Sequence, residues 1–179
     1  MRAEGDKVLI RVLSPDDLEA FWALRLQGLQ ECPVAFGGSY DEEKELPLEE
    51  VARHFGHEGI RLFGAFTGDG QLVGIAVLDR APPQYKRVQH KAEIWGMYVA
   101  PRFRGQGIGR ALLEAALSHA RGLAGLRRIN ISVMTSNQVA KSLYESCGFE
   151  RYGVEPEVVR IDGDYYDAAH MTLCLEQEA

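Results

Sequence analysis

Residues 98–113, YVAPRFRGQGIGRALL, crowd three glycines and three arginines between an apolar run and a helix-like run. They are Gly105, Gly107, Gly109, Arg102, Arg104 and Arg110. A glycine-rich loop between a strand and a helix suits an anion, because the first helical N–H groups have no partner inside the helix and the helix dipole favours negative charge there. Glycine also adds no side chain that would keep phosphate oxygens away from those donors. The segment therefore predicts a site for a phosphate-bearing ligand.

The glycine spacing distinguishes among phosphate-binding loops. A P-loop needs G-x-x-x-x-G-K-[ST], and no Lys-Ser or Lys-Thr follows these glycines. A dinucleotide fingerprint, G-x-G-x-x-G, counted from Gly105 would need a third glycine where Arg110 stands. The acidic ribose partner expected about 20 residues on is missing as well, since that region reads RRINIS. R-x-x-G-x-G, from Arg104 to Gly109, remains, and its alternative is a tight strand-to-helix turn that binds nothing.

Two motifs together resemble a known family. The segment MYVAPRFRGQGIGRALL looks like motif A of the GNAT superfamily of N-acetyltransferases: a strand, V-x-P, then R-x-x-G-x-G opening a helix. A second family pattern, Asn, then Tyr seven residues on, then G-F, is matched by Asn137, Tyr144 and Phe149. The resemblance covers most of the chain and is strongest over 91–149. It implies acetyl-CoA as cosubstrate and no metal.

The resemblance also implies where acetyl-CoA lies. Its pyrophosphate would bind the N–H groups of residues 104–110, and its pantetheine arm would pair with the preceding strand near Met97 and Val99. The implied cofactor-binding residues are Met97, Tyr98, Val99, Arg104, Gly105, Gln106, Gly107, Ile108, Gly109, Arg110, Asn137 and Tyr144. Asn137 has a second, compatible interpretation as the N-cap of the helix that follows it.

Two further side chains fit the chemistry of acetyl transfer to an amine. The amine must lose a proton before it attacks, the thioester oxygen needs a donor, and the departing thiolate gains from a proton. Glu93 resembles the glutamate that many family members carry on this strand, and a partly desolvated carboxylate there would accept the proton, directly or through water. Tyr144 is the candidate acid. The alternatives are a solvent-facing strand glutamate and a core tyrosine.

The resemblance implies direct acetyl transfer to a primary amine of a small molecule, peptide or protein. A catalytically degenerate acyl-CoA-binding regulatory module and a dinucleotide-dependent oxidoreductase stay open as alternatives. The acidic run YDEEKELPLEE, 40–50, favours a small cationic amine, and residues 82–87 are expected at its entrance. Phe36 and Tyr40 are candidates for an aromatic wall, whereas Trp22 is expected in the core.

Composition narrows the class of protein. A length of 179 residues suits one domain, 1–179. The net charge of −6 argues against a general nucleic-acid binder. No run approaches the roughly 18 apolar residues of a membrane span, and the N-terminus lacks an apolar signal core. Three cysteines without CxxC pairing favour a reducing cytoplasm over a disulfide framework or a zinc site. A homodimer is compatible with the resemblance.

Hydrophobic periodicity predicts the elements that position these residues. Strands are predicted over 7–13, on both sides of the turn TGDGQ, over 91–99, over 127–135, and in two closing runs around Asp162-Gly163, the first interrupted at Pro156. Helices are predicted over 15–31, 46–59, 108–122 and 137–148, with a loop over 33–46. This is an α+β or mixed α/β domain, a central sheet of about seven strands flanked by four helices.

The strands on either side of the glycine loop carry the site. Residues 98–134 form one β–loop–α–β unit, so its two strands are expected to be parallel. Gly96, alone inside the strand run EIWGMYV, indicates a bulge or a close backbone approach. In the family this strand parts from its parallel neighbour, so the resemblance implies a sheet splayed between the fourth and fifth strands.

Overall fold

A seven-stranded mixed sheet runs through residues 8–175, the part of the chain that the computed structural model describes. The strands are β1 (Leu9–Val12), β2 (Ile60–Phe66), β3 (Leu72–Arg80), β4 (Lys91–Val99), β5 (Arg128–Met134), β6 (Glu150–Ile161) and β7 (Asp164–Cys174). Their order in the sheet is β1-β2-β3-β4-β5-β7-β6. All neighbouring pairs are antiparallel except β4 and β5, which are parallel as predicted.

The α-helices in the described range are α1 (Leu18–Glu31), α2 (Tyr40–Glu43), α3 (Leu48–Gly56), α4 (Ile108–Arg121) and α5 (Gln138–Ser146). The predicted helix over 15–31 begins as a 3-10 turn, Pro15–Asp17, before α1. The predicted loop over 33–46 is wrong at α2, which adds a fifth helix. Ser39 caps α2 by accepting from the Glu42 N–H, and Glu42 reaches back to Ser39, a capping box that the sequence already contained.

Helices cover the sheet on both faces and bury a separate apolar layer on each. On one face α4 places Leu112 and Leu113 against Ile129 of β5 and Met171 of β7. On the other face α1 and α3 pack on β2, β3 and β4, with Phe21 in contact with the Phe55 ring edge-on. The predicted mixed α/β architecture is therefore confirmed. The second layer stops at β4, and this leaves one face of β5 and β7 uncovered by α1 and α3.

The sheet splays where the resemblance implied that it would. Strands β4 and β5 pair from Lys91↔Arg128 to Ile94↔Ile131 and then part. Gly96 has a positive φ of 65°, a conformation that favours glycine, and the β3–β4 register shifts beside it. The bulge turns the end of β4 away from β5 and opens a gap between the two strands.

Strand β6 departs from the prediction at Pro156. The strand runs unbroken from Glu150 to Ile161, and its register against β7 shifts between Glu155 and Val159. Proline is tolerated there because β6 is an edge strand and a bulge removes the need for its N–H. The turn at Asp162-Gly163, where both residues have positive φ, closes the β6–β7 hairpin as expected.

Candidate active site

A cavity of about 590 Å³ lies between the end of β4, the glycine loop and α5. We call it the loop cavity. All the predicted cofactor-binding residues except Gln106 line it: Met97, Tyr98, Val99, Arg104, Gly105, Gly107, Ile108, Gly109, Arg110, Asn137 and Tyr144. Gln106 instead donates a side-chain hydrogen bond to the Arg102 carbonyl at 3.2 Å. The lining also includes Cys32 and Phe36 from the segment that follows α1.

The glycine loop is an open backbone surface. Gly105 and Gly107 have φ values of 75° and 81°, and Gly107 is the N-cap of α4. A Cβ at either position would meet no other atom within 4 Å, so the space in front of the loop is free. Gly109, the first-turn residue, has ordinary helical backbone and faces Leu143 of α5. The free N–H groups at the start of α4 thus border a space large enough for phosphate oxygens.

The two loop arginines are held by the protein itself. Arg104 donates from Nε to the Val99 carbonyl at 2.8 Å, and its guanidinium lies 3.8 Å from the Glu31 carboxylate. Glu31 also accepts from the Tyr98 hydroxyl, and this hydrogen bond lowers the pKa of Glu31. Arg110 donates to Ser146 Oγ at 2.6 Å and so connects α4 to α5. These contacts fix the loop against the end of α1 on one side and α5 on the other.

Asn137 and Tyr144 lie on α5, across the gap from β4. Asn137 Oδ1 accepts from the Ala140 N–H at 3.1 Å, which confirms the N-cap interpretation, and Asn137 also lines the loop cavity. Tyr144 is buried among apolar residues, and this burial raises its pKa to about 12. No buried side-chain polar atom lacks a partner in the described range, and no side-chain group there bonds the Tyr144 hydroxyl, so that hydroxyl must reach cavity space.

A second cavity of about 340 Å³ lies against the uncovered face of the sheet, and we call it the sheet cavity. Polar and aromatic residues from four elements and one connecting segment line it: Arg25, Phe36, Glu93, Trp95, Ser132 and His170. Tyr144, Asn137 and Met97 line both cavities, so the two spaces meet at Tyr144. The arrangement gives one elongated site with a phosphate-sized loop at one end and a polar pocket at the other.

Glu93 lines the sheet cavity and is exposed, so the partly desolvated carboxylate predicted from the sequence is not what the structure has. Its Cα pairs with that of Asn130 at the end of the β4–β5 ladder, just before the strands part. Glu93 lines the sheet cavity and not the loop cavity. Its proton-accepting role stays a prediction.

The acidic run, 40–50, and the 82–87 segment contribute no lining residue to the loop cavity or the sheet cavity. Glu43 forms an ion pair with Arg25 at 2.7 Å, Asp41 forms one with Lys44 at 2.7 Å, and Glu42 serves the cap of α2. Two of the six carboxylates in the run are thus ion-paired, and the expectation of a small cationic amine stays a prediction. Residues 82–87 line neither cavity, and Trp22 packs with the core under α1, as expected.

Sequence reasoning missed Arg25, Ser132 and His170. Arg25 sits on the apolar stripe of α1, where a charged residue signals a buried partner. Ser132 and His170 occupy the polar positions of otherwise apolar, alternating strands, and they are paired neighbours in the β5–β7 register. That alternation was readable, but only the strand pairing shows that both residues face one cavity.

Within residues 8–175 no group of three or more His, Cys, Asp or Glu side chains is arranged to hold a metal ion. No helix in that range is long and apolar enough to cross a membrane. Cys32, Cys147 and Cys174 are all free thiols.

Comparison with known proteins places the site in a family context. The sequence profile described as the acetyltransferase (GNAT) family matches residues 24–149. The N-alpha-acetyltransferase RimI of Mycobacterium tuberculosis is 35% identical over 115 residues, 64% of this chain and 65% of that protein. The chain spans between 37% and 65% of the length of several curated bacterial relatives.

Solved structures agree with the sequence match. A GNAT-family acetyltransferase from Streptococcus pneumoniae superposes with a TM-score of 0.83 at 26% identity, over 95% of this chain and 100% of that chain. The spermidine N-acetyltransferase of Vibrio cholerae, solved with CoA and spermine, superposes with a TM-score of 0.74 at 26% identity, over 94% and 95% of the two chains.

Proposed function

The chain belongs to the acetyltransferase (GNAT) family, and from that membership and its site we propose that it transfers the acetyl group of acetyl-CoA directly to a primary amine. The observation that carries the proposal is the gap between β4 and β5, which joins the loop cavity to the sheet cavity at Tyr144. A ligand that spans both would have its anionic end on the glycine loop and its reactive end beside Tyr144. Acetyl-CoA has that shape and charge.

The loop cavity would hold the cosubstrate by backbone groups. The free N–H groups at the start of α4 would bind the pyrophosphate, because Gly105 and Gly107 leave the approach open. The pantetheine arm would lie along the parted end of β4, where backbone groups near Met97 and Val99 no longer pair with β5. Asn137, at the start of α5, lines the same space, and its amide nitrogen would be available to the pantetheine arm.

Tyr144 would donate a hydrogen bond to the departing thiolate of CoA. Its raised pKa of about 12 keeps the hydroxyl protonated at neutral pH, so it is available as a donor. Complete transfer of that proton to a thiolate whose conjugate acid has a pKa near 8.5 would cost about 5 kcal/mol. Tyr144 therefore acts first as a hydrogen-bond donor that stabilises the thiolate while the carbon–sulfur bond breaks.

Glu93 would bind the acceptor amine. As a carboxylate at the end of the paired part of β4, it attracts an ammonium group into the sheet cavity and accepts a proton from the reacting nitrogen, directly or through water. The neutral amine attacks the thioester carbonyl carbon, and the acetyl group leaves CoA without a covalent enzyme intermediate.

The acceptor is a primary amine of a small molecule, a peptide or a protein. Relatives carry the names N-alpha-acetyltransferase RimI, spermidine N(1)-acetyltransferase, mycothiol acetyltransferase and aminoglycoside N(6')-acetyltransferase. Aromatic walls from Phe36 and Trp95 and one carboxylate, Glu93, fit a compact amine with an apolar body. The side chains that line this pocket decide the class of acceptor.

Two measurements test the proposal. Acetyl-CoA should raise the melting temperature in proportion to the logarithm of its concentration, whereas NAD should not. Release of free CoA thiol should then depend on added amine across a panel containing spermidine, an aminoglycoside, amino acids and an alanine-initiated peptide. Stabilisation by NAD alone would overturn acetyl-CoA as the ligand. Stabilisation by acetyl-CoA with no transfer to any amine would favour the regulatory alternative.

A further inference from the structure

Three polar side chains form a hydrogen-bonded chain across the strands β5, β7 and β6. Ser132 Oγ lies 2.8 Å from His170 Nδ1, and His170 Nε2 lies 2.8 Å from Glu155 Oε2. A carboxylate can only accept, so Nε2 carries the proton towards Glu155. In the neutral imidazole Nδ1 is then an acceptor for the Ser132 hydroxyl. We call this set the Ser–His–Glu chain.

The Ser–His–Glu chain leads from the site to solvent. Ser132 and His170 line the sheet cavity together with Glu93 and Tyr144. The His170 side chain is 27% exposed, and Glu155, at the far end, is 56% exposed. The hydrogen bonds therefore give a proton taken up at Ser132 a route through His170 to Glu155 that does not pass through the loop cavity.

The proposed reaction removes two protons from the acceptor ammonium. A primary ammonium loses one proton before it attacks and a second when the tetrahedral intermediate collapses to the amide. One proton finally resides on the CoA thiol, and the other leaves to solvent. Glu93 and Tyr144 account for one path between amine and thiolate, and a separate acceptor would carry the other proton to solvent without competing for that path.

We propose that the Ser–His–Glu chain removes the first proton of the acceptor ammonium, with His170 as the base. The ammonium passes a proton to Ser132 Oγ while Ser132 passes its own to His170 Nδ1, and the resulting imidazolium is stabilised by Glu155. The neutral amine attacks the thioester carbon, the carbon–sulfur bond breaks, and the second amine proton goes by way of Glu93 to the thiolate, which Tyr144 already hydrogen-bonds. His170 then releases its proton to water. The inference rests on the proposed acetyl transfer.

The surroundings of His170 favour this role over that of a structural tie. The groups that face it or share its cavity are Glu155, Ser132, Tyr152, Glu93, Arg25 and Tyr144. Glu155 bonds the imidazole directly, and the positive charge of Arg25 is offset by its ion pair with Glu43. Glu93, by contrast, forms no side-chain hydrogen bond in the described range, so His170 is the better positioned base.

The decisive variant is His170→Gln, which keeps a polar side chain but cannot take up a proton. We expect kcat to fall by about 100-fold at neutral pH, within the usual range for loss of a general base. In the wild type kcat should rise with pH, because the imidazole must be free to take up a proton. That rising limb should be absent from His170→Gln, while the acetyl-CoA Kd should stay within twofold.

Thr172→Val is the matched control. Thr172 lies on β7 two residues from His170 and donates to Asn130 Oδ1 of β5 at 2.9 Å, so its loss removes a hydrogen bond between the same strands. It lines neither cavity. The control should lose a similar amount of melting temperature and keep both kcat and the pH profile. Equal kcat and equal pH profiles in His170→Gln and Thr172→Val would overturn the inference.

A second variant covers the case in which His170→Gln does not fold. Ser132→Ala, at an exposed position, should lower kcat about tenfold with the pH limb retained, because water replaces the hydroxyl as the link to His170. An unchanged kcat in Ser132→Ala would count against the chain. Wild-type protein that binds acetyl-CoA but acetylates no amine would instead overturn the proposed function itself, a different result from an active enzyme that is insensitive to His170.

Discussion

The loop cavity and the sheet cavity adjoin each other yet are built in opposite ways. The loop cavity is made mainly by two short stretches, 97–110 and 137–144, and presents backbone groups and glycines. The sheet cavity is made by side chains from α1, β4, β5 and β7, which lie far apart in the sequence. Backbone donors at a helix N-terminus recognise a phosphate whatever side chains surround them, whereas charged and aromatic side chains select one acceptor among many.

The largest effect should come from closing the loop cavity. In Gly107→Val the new side chain occupies the space in front of the α4 N-terminus and strains a position with φ of 81°. Loss of two charge-assisted hydrogen bonds to phosphate corresponds to roughly 100-fold or more in acetyl-CoA affinity. Isothermal titration with acetyl-CoA measures the change.

Gly163→Val separates ligand exclusion from backbone strain. Gly163 has φ of 95° in the β6–β7 turn, and a Cβ there also meets no atom within 4 Å. Both variants should lose similar stability, but Gly163→Val should bind acetyl-CoA normally. A comparable loss of affinity in both would mean that the glycines serve only the fold.

The next effect tests the junction of the two cavities. Tyr144→Phe removes a hydroxyl that no side chain of the described range bonds, so the melting temperature should change little. The kcat for acetyl transfer should fall between about 10- and 100-fold, because the departing thiolate loses its donor, with acetyl-CoA affinity unchanged. Steady-state kinetics on the best acceptor of the panel gives kcat, and titration with acetyl-CoA gives the affinity.

Tyr85→Phe is the control, because Tyr85 is exposed and lines neither cavity, and it should match the wild type. A Tyr144→Phe enzyme with wild-type kcat would show that Tyr144 takes no part in the reaction.

The same contrast explains what the sequence could predict. The spacing of Arg104, Gly107 and Gly109 and of Asn137 and Tyr144 located the loop cavity, because each motif is contiguous and its physics is local. The parallel β4–β5 pair and the bulge at Gly96 followed for the same reason. The capping box of α2, Ser39 with Glu42, is local in the same way, so the sequence also contains the signal for this fifth helix.

The sheet cavity could not be assembled in this way. Ser132 and His170 meet only because β7 inserts between β5 and β6, an order that the chain sequence does not state. Arg25 and Glu43 pair across the turn from α1 to α2, which depends on how α2 folds back. Tertiary placement, and not residue type, decides which of the many polar side chains face the acceptor.

Two arginine–carboxylate pairs, one at the sheet cavity and one outside both cavities, allow the contribution of Arg25 to the acceptor pocket to be measured. Arg25 binds Glu43 through two hydrogen bonds of 2.7 and 3.0 Å, and its guanidinium lies 4.8 Å from the centre of the Phe36 ring. Arg11 binds Asp17 through two of 2.7 Å. Arg25 lines the sheet cavity, and the side chains of Arg25 and Glu43 are 11% and 18% exposed. In the second pair the Arg11 side chain is 40% exposed and the Asp17 side chain 12%, and both residues lie outside the two cavities.

Arg25→Met should therefore cost about 1–3 kcal/mol of stability, because Glu43 is left partly buried without its partner. With Phe36 no longer fixed, the KM for the amine should rise several-fold while kcat and acetyl-CoA affinity change less than twofold. Arg11→Met removes an equally bidentate pair, but Asp17 keeps the Ser14 N–H and hydroxyl as donors, so it should cost less than Arg25→Met and leave KM unchanged. Urea denaturation and amine saturation curves on both variants supply the comparison. If KM for the amine rose equally in Arg25→Met and Arg11→Met, the effect would come from lower stability of the fold and not from the Phe36 ring. If KM did not change in Arg25→Met, the acceptor would not contact Phe36.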